Sequence, residues 1–592
     1  MSSEDIIGSV IDRVVLVAVG AAAGLALWGI AENWSDPGLS PSLLLGSFSF
    51  VLIYGLLVLL LTGPVPATRA FWGALLIAMP MTGLILSAGL RPQVATDILD
   101  DPAVISIAAL VWLFAMPFLR VWLQDRGRWL DYAALFEAAW ALCIHLFLGL
   151  IFVGIVWLLL FLSNALLTLV DVTYLEHILR RGWISFVISG GSLGLGLAVL
   201  QEFRDSLSPF VILRLLRLLV PVMLGVVVVF LIAAPFRELA RLFGEFSAAG
   251  TLMGTAALAI TLISSALDRS DAHAVKTYGL RLATRFLALV LPFLCGLAVW
   301  ALALRVAQYG WTPDRVYAAS AGVFLLAYGV AYAGVSVTRS GWARRIRQAN
   351  VIMALAVIAL GAAAMTPLLN PYRIATKSQV DRFLAGEATL SELPLWEMSH
   401  FWGRAGEAGL QTLERQTERP DHADIQARIS EARQLDTLYQ FERAVEIRQL
   451  PARAGELADL LAVRGRDAPL PPASFAALDP FQVTRWLDAC QRRLPDGRAA
   501  CVLVQGAFAA GVAEEEQAMI LYLDETGHAR GNYIGLSDGM IRSVQPVIDP
   551  VNGGWPELPP DTIARALDGA FDIRPSGDNA LWIGDNVLMR GN

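Results

Sequence analysis

Eleven separate stretches of this chain are each apolar over about the 20 residues that an α-helix needs to cross the hydrocarbon core of a bilayer. They run 14–31, 43–63, 70–90, 103–123, 139–163, 183–200, 211–236, 250–267, 285–306, 316–338 and 350–368. Within lipid only helices and closed barrels satisfy their own backbone hydrogen bonds, so the expected architecture is an α-helical polytopic membrane domain of about 11 spans. Apolar character in the fifth stretch continues to Val170. It fits either one tilted helix or a span followed by an interfacial segment. The segment before the first stretch is acidic, and Ala21–Ala23 are followed by more apolar sequence, so 14–31 is expected as a retained span rather than a signal peptide.

Charge divides the chain in two. Hydrophobic residues make up 56% and charged residues 16%, well below the usual quarter, and the mean hydropathy is +0.57. Residues 1–371 hold 23 Lys and Arg against 20 Asp and Glu, whereas 372–592 hold 22 against 32. The step implies a transmembrane domain, 1–371, followed by an acidic water-soluble domain. A soluble enzyme built from the whole chain, disorder, and nucleic-acid binding through a basic patch are all excluded. The lipid bilayer is the first partner implied.

Basic residues in the loops give a side to each face, because Lys and Arg concentrate in short cytoplasmic loops. With the N-terminus inside, 16 lie in cytoplasmic segments, among them Arg69, Arg126, Arg217, Arg269 and Arg347. Seven lie outside: Arg91, Arg180, Arg181, Arg237, Arg241, Arg305 and Arg315. An odd number of spans then puts the acidic domain in the periplasm. Arg120, Arg214 and Arg217 at span ends read as side chains that snorkel to the headgroups.

Inside the spans the sequence offers little chemistry. His145, in the fifth span beside Cys143, is the candidate intramembrane polar site, because ionisable groups in lipid are costly and are kept for function. Gly20-Ala-Ala-Ala-Gly24, Gly190-Gly-Ser-Leu-Gly194 and Gly250-Thr-Leu-Met-Gly254 place glycines four apart, a spacing that lets helix backbones approach closely. A sharper alternative makes Gly-rich spans one and six the discontinuous helices of a secondary transporter. Pro80, Pro117, Pro221 and Pro292 are expected to kink their spans.

Beyond Thr366-Pro-Leu-Leu-Asn-Pro371 the patterning becomes that of a soluble protein. A helical subdomain is expected over 372–465. Its stretch 425–450 carries Ile425, Ile429, Ala432, Leu435, Leu438, Phe441 and Val445 as one apolar stripe on a helix. A small α+β subdomain with antiparallel strands is expected over 466–592. Helices fit 480–493 and 560–569. Strands fit Ala500–Val504, Ala518–Leu523, Asn532–Leu536, Ile541–Ile548 and Leu581–Leu588. Cys490 and Cys501 flank the turn Pro495-Asp-Gly497 and are expected to form a disulfide, which persists in the periplasm and not in a reducing cytosol.

The chain has no GxxxxGK[ST], GxGxxG after a strand or HExxH. The six histidines have no metal-ligand spacing, and neither a cofactor nor a metal is implied. Asp100 and Asp101, in an outer loop, are candidate carboxylates for a transferase acting on lipid-linked substrates. The plainer role for Asp101 is to cap the helix that begins at Pro102.

The junction Asn370-Pro-Tyr-Arg-Ile374, Ser378-Gln-Val-Asp-Arg-Phe-Leu384 and Gly386, with Gly403-Arg-Ala-Gly406, Gly409-Leu410 and Leu413-Glu414, resembles a bacterial family of polytopic membrane proteins defined only as a domain of unknown function, the DUF4153-type group. The resemblance covers roughly residues 1–415. It implies an integral inner-membrane protein of a Gram-negative bacterium and carries no catalytic residues. The function expected is therefore non-enzymatic: an inner-membrane protein presenting an acidic periplasmic domain that binds or senses a periplasmic or membrane protein partner. A secondary transporter is the alternative, and a transferase using lipid-linked substrates the third reading. Oligomeric state is not encoded in any feature above.

Overall fold

The computed structural model describes residues 3–202, 210–234, 248–338, 341–465, 469–509, 511–548, 558–576, 578–583 and 586–590. Arg204, Arg237, Arg241, Arg339 and residues 584–585 lie outside them. Among the described residues, eleven helical segments are long and apolar enough to cross a membrane. In chain order the helices of this part are α1 (Ser3–Glu32), α2 (Pro41–Leu61), α3 (Ala67–Ala88), α4 (Pro102–Gln124), α5 (Tyr132–Thr168), the short α6 (Tyr174–Leu179), α7 (Gly182–Glu202), α8 (Phe210–Leu218), α9 (Val220–Ala233), α10 (Ala248–Leu267), α11 (Tyr278–Tyr309), α12 (Pro313–Ser336) and α13 (Trp342–Ala364). The ambiguous fifth stretch is one unbroken helix of 37 residues. Span seven is α8 and α9 together, interrupted at Leu219 just before Pro221. Pro80, Pro117 and Pro292 sit inside continuous helices, so only Pro221 coincides with a break.

The glycine motifs sort themselves by contact. A Cβ on Gly20 would lie 2.1 Å from the Gly190 carbonyl oxygen, and one on Gly190 would lie 2.0 Å from that of Gly20. Gly24 meets Phe186, and Gly194 meets Leu16, equally closely. The motifs of α1 and α7 thus face each other, and their missing side chains bring the two backbones into contact. Both helices are continuous. The discontinuity expected of a transporter at spans one and six is absent, because glycine here serves close packing of intact helices. Gly254 of the third motif faces open space.

Ion pairs and carbonyl contacts show which ends share a face. Arg217 reaches Asp268, Arg269 reaches Glu137, and Arg347 reaches Asp271. The ends of α5, α8, α10 and α13 that carry these residues therefore meet on one side. On the other side the 91–102 and 309–313 loops meet the chain that follows α13. Arg217 corrects the snorkelling expectation: its side chain is 13% exposed and turned inward. Arg120 is buried as well, at 7% exposure.

The chain separates into two compact units, 1–429 and 430–592. The helical subdomain expected over 372–465 is therefore shared between them. The first unit takes α14 (Pro371–Leu384), α15 (Leu395–His400), α16 (Gly403–Glu414) and the start of α17 (His422–Gln434). Asn370 caps α14, its Oδ1 accepting from the Tyr372 N–H at 3.1 Å. The single helix expected over 425–450 is two, because Thr437 starts α18 (Leu438–Leu460) by accepting from the Gln440 N–H at 3.3 Å.

The second unit is built on an eight-stranded sheet of order β1-β2-β3-β4-β5-β8-β7-β6. Its strands are β1 (Ala462–Arg464), β2 (Cys501–Gln505), β3 (Gln517–Leu523), β4 (Ala529–Ser537), β5 (Met540–Ile548), β6 (Asp572–Ser576), β7 (Asp578–Ile583) and β8 (Asn586–Arg590). Among the described residues β1–β2 is the one parallel pair of this sheet. The run expected as one strand over Leu581–Leu588 is divided between two antiparallel strands, β7 and β8. Both faces of β2 and β3 are covered, which is why they read as continuous apolar runs. Cys501, Leu503 and Ile520 pack with α18 and α19 (Pro480–Gln491), while Val502, Val504 and Leu521 pack with α20 (Asp561–Leu567). Cys490 and Cys501 form a disulfide buried in the first of these cores, with Cα atoms 4.9 Å apart. Cys143 is exposed on α5 and Cys295 buried.

Asp524 orders the turn between β3 and β4. Partial burial works against its charge. Hydrogen bonds from the Thr526 hydroxyl, the His528 N–H and the Arg530 guanidinium outweigh it and hold the carboxyl well below the usual range. A carboxylate stabilised in this way contributes above the unfolded pKa of about 3.9 and loses its contribution as pH falls below that. Asp524→Ala is expected to destabilise the second unit by about 2 kcal/mol at pH 7, a gap that closes toward pH 2 in urea unfolding. Gly190→Ala is expected to lower the detergent-solubilised unfolding midpoint, at a cost of about 2 kcal/mol. Gly254→Ala should leave that midpoint where it is.

Candidate functional site

A cleft of about 680 Å³ opens where the 91–102 loop, the start of α12 and helices α14 and α15 converge in the first unit. Its walls form because glycines let backbones meet. A Cβ on Gly403, whose φ is +53°, would lie 2.5 Å from the Arg91 carbonyl oxygen. The Arg404 N–H donates to that oxygen at 3.0 Å. Gly406 approaches the Met398 carbonyl and Gly409 the Thr376 side chain. Gln379 ties α14 to the α11–α12 connection, donating to the Tyr309 and Trp311 carbonyls at 2.9 Å each.

Asp101 does what its place before Pro102 implies. Its Oδ1 accepts from the Ala103 N–H at 2.9 Å and caps α4. Its Oδ2 accepts from the Tyr372 hydroxyl, which links a span to the first helix beyond the membrane part. Burial and this hydrogen bond hold the Tyr372 phenol well above its usual range. Asp97 and Asp100 are both exposed on the cleft, and slight desolvation followed by the neighbouring Asp100 pushes the Asp97 carboxyl up. Asp314 and Glu397 complete the acidic rim. Arg91, 7% exposed, lies in the wall. Its Nη2 donates to the Thr366 carbonyl at 3.1 Å and to that of Ala364, covering the C-terminal end of α13. Tyr317 lies beside it.

On the opposite face a second polar cluster joins four spans. Asn350 Oδ1 accepts from the Tyr328 hydroxyl at 2.8 Å and from the Tyr332 hydroxyl at 2.6 Å. Its Nδ2 donates to Ser264 Oγ at 3.3 Å and to the Tyr132 hydroxyl at 3.4 Å. The amide thereby uses its full hydrogen-bonding inventory. Near it, the Arg217 Nε donates to the Ser265 carbonyl at 3.0 Å, and Arg347 donates to those of Asp268 and Leu267 at 3.1 and 2.8 Å. Two arginines from other spans thus satisfy the C-terminal end of α10. With every group engaged, the cluster is an interhelical clamp rather than a ligand site.

The sequence singled out Asp100 and Asp101, and both belong to the cleft. His145 does not. It is half-buried on α5, is not without a partner, and does not line the cleft. The cleft's Arg91, Tyr317, Tyr372 and Glu397 went unnoticed, as did Asn350. A lone Asn within an apolar span, with tyrosines four apart in the preceding span, is the signal that marks the clamp. Among the described residues, no three of His, Cys, Asp and Glu stand close enough to hold a metal ion. Comparison with protein-family models, curated proteins and solved structures finds no match.

Asp268→Ala is expected to cost about 3 kcal/mol, because the inward-turned Arg217 would then lose its counter-charge. Asn350→Leu should cost about 2 kcal/mol through lost interhelical hydrogen bonds. Unfolding in mild detergent, followed by tryptophan fluorescence, measures both.

Proposed function

We propose that the protein is a bacterial inner-membrane protein of the DUF4153-type group. Its N-terminus is cytoplasmic, its cleft and acidic C-terminal unit are periplasmic, and its role is to bind or sense a ligand or protein partner there. The cleft carries the reading: a cavity of drug-sized volume with polar groups drawn from three distant segments is what binding sites share. The distribution of basic residues and the Cys490–Cys501 pair support the sidedness. The packed, saturated clamp and the unbroken α1 and α7 give transport no support.

A transferase acting on lipid-linked substrates is the second reading. Asp97 favours it, since a carboxyl raised by slight desolvation and by a neighbouring carboxylate is suited to general-acid work.

A periplasm-dependent phosphatase fused after Asn592 should be active, and a cytoplasm-dependent fluorescent reporter at the same site should be dark. In whole cells, a membrane-impermeant maleimide should label Asp100→Cys. Cys490 and Cys501 should react with it only after reduction and unfolding. The reverse pattern of reporters, or an Asp100→Cys labelled only after the membrane is opened, overturns the assignment.

A further inference from the structure

We propose that the cleft takes an uncharged, hydroxyl-rich ligand, a saccharide, which deepens the binding reading above and rests on it. Two sets of polar groups stand around the cavity with opposite needs, one of carboxylates on its surface and one buried in its wall. Asp97, Asp100, Asp314 and Glu397 line it, and their carboxylates make no hydrogen bond or ion pair among the described residues. They are acceptors waiting for donors. Asp101 is already committed to its cap and to Tyr372. In the wall the need is reversed. Arg91 is 7% exposed, and its Nε and Nη1 have no hydrogen-bond partner among the described residues. The hydroxyl of the adjacent Tyr317 has none either. Pairing Arg91 with Tyr317 would still leave guanidinium N–H groups unused, because the hydroxyl oxygen cannot serve them all.

Each simple occupant satisfies one set and offends the other. A compact anion meets Arg91 and is repelled by the acidic rim. An organic cation meets the carboxylates and leaves the buried guanidinium facing like charge. A divalent ion needs converging ligands, and the carboxylates here are spread around the cavity. A hydroxyl both donates and accepts, so a ligand with several hydroxyls serves the rim and the wall together without adding charge. The ring of Phe401, 65% exposed, borders the same cavity and stands edge-on to Trp396 at 5.3 Å. It offers an apolar surface to the C–H face of a sugar ring.

The test uses the full-length protein in nanodiscs of phosphatidylethanolamine and phosphatidylglycerol. Binding of maltotriose is measured by calorimetry, and binding of digalactosyl diacylglycerol by native mass spectrometry. Spermidine and inorganic phosphate are the charged comparators. At least one saccharide probe should bind, and Asp100→Asn and Glu397→Gln should each weaken it about tenfold, as loss of a charge-assisted hydrogen bond does. Tyr317→Phe, which keeps the ring, should weaken it by a smaller factor. Binding of maltotriose marks a soluble ligand, and binding of the glycolipid alone marks the lipid leaflet as the source. Tighter binding of spermidine or phosphate at the same residues overturns the saccharide while leaving the site standing. Binding by no probe, or saccharide binding indifferent to both carboxylate variants, also overturns it. Failure of the periplasmic reading is separate: it appears in the reporter and Asp100→Cys labelling patterns, which involve no ligand.

Discussion

The C-terminal ends of the later spans are finished by arginines borrowed from elsewhere in the fold. The last carbonyls of a helix have no partner in their own helix, and a helix end in or near lipid has little water to offer them. Arg217 and Arg347 serve the end of α10, Arg285 the end of α12 through Ser336 and Thr338, and Arg91 the end of α13. Arg382 and Arg315 serve the end of α11 through Gln308 and Gly310. In each case a cation meets the negative pole of a helix, and the planar fork can hold more than one oxygen at a time. Lysine, a point charge on a flexible stem, bridges neighbouring carbonyls poorly. The chain has 43 arginines and only Lys276 and Lys377 as lysines, a ratio that suits this construction. The caps do more than satisfy carbonyls, since all but that of Arg315 join segments far apart in sequence. They set which ends meet at each face.

Much of this was legible from the sequence where the signal is one-dimensional. Span positions follow from length and hydropathy alone, and the expected eleven agree closely with the helices. The disulfide partners were legible because only two cysteines lie beyond the spans and a turn separates them. Partnership between distant segments was not legible. Gly20 and Gly190 each announced a close approach, but nothing local said they approach each other. Arg217 looked like a lipid-facing charge because its counter-ion, Asp268, is 51 positions away. Tyr132 and Asn350 are 218 apart. The stripe over 425–450 was read as one helix because periodicity survives the short interruption at 435–437, where only the cap at Thr437 reveals a new start. Strand β1 escaped notice because three residues carry no periodicity.

The two polar regions of the membrane unit differ in what they leave over. The clamp around Asn350 consumes its own hydrogen-bonding capacity, which is how interhelical polar groups stabilise a bundle. The cleft does not, since its carboxylates and its arginine have capacity beyond what the fold uses. That asymmetry distinguishes a fastening from a cavity with spare hydrogen-bonding capacity more reliably than the presence of charge. By the same criterion, His145 drew attention only because it is ionisable.

The walls of the cleft come from residues 91–102, 313–317, and 372 and 397–403, so the site has an order of assembly. The first wall is made early in synthesis, and the last is made only after all eleven spans have been translated. Gly403 then closes the cavity by seating against Arg91. A chain arrested or clipped anywhere before that glycine has a complete set of spans at best and no cleft. The cavity is therefore complete only when the whole of the first unit is.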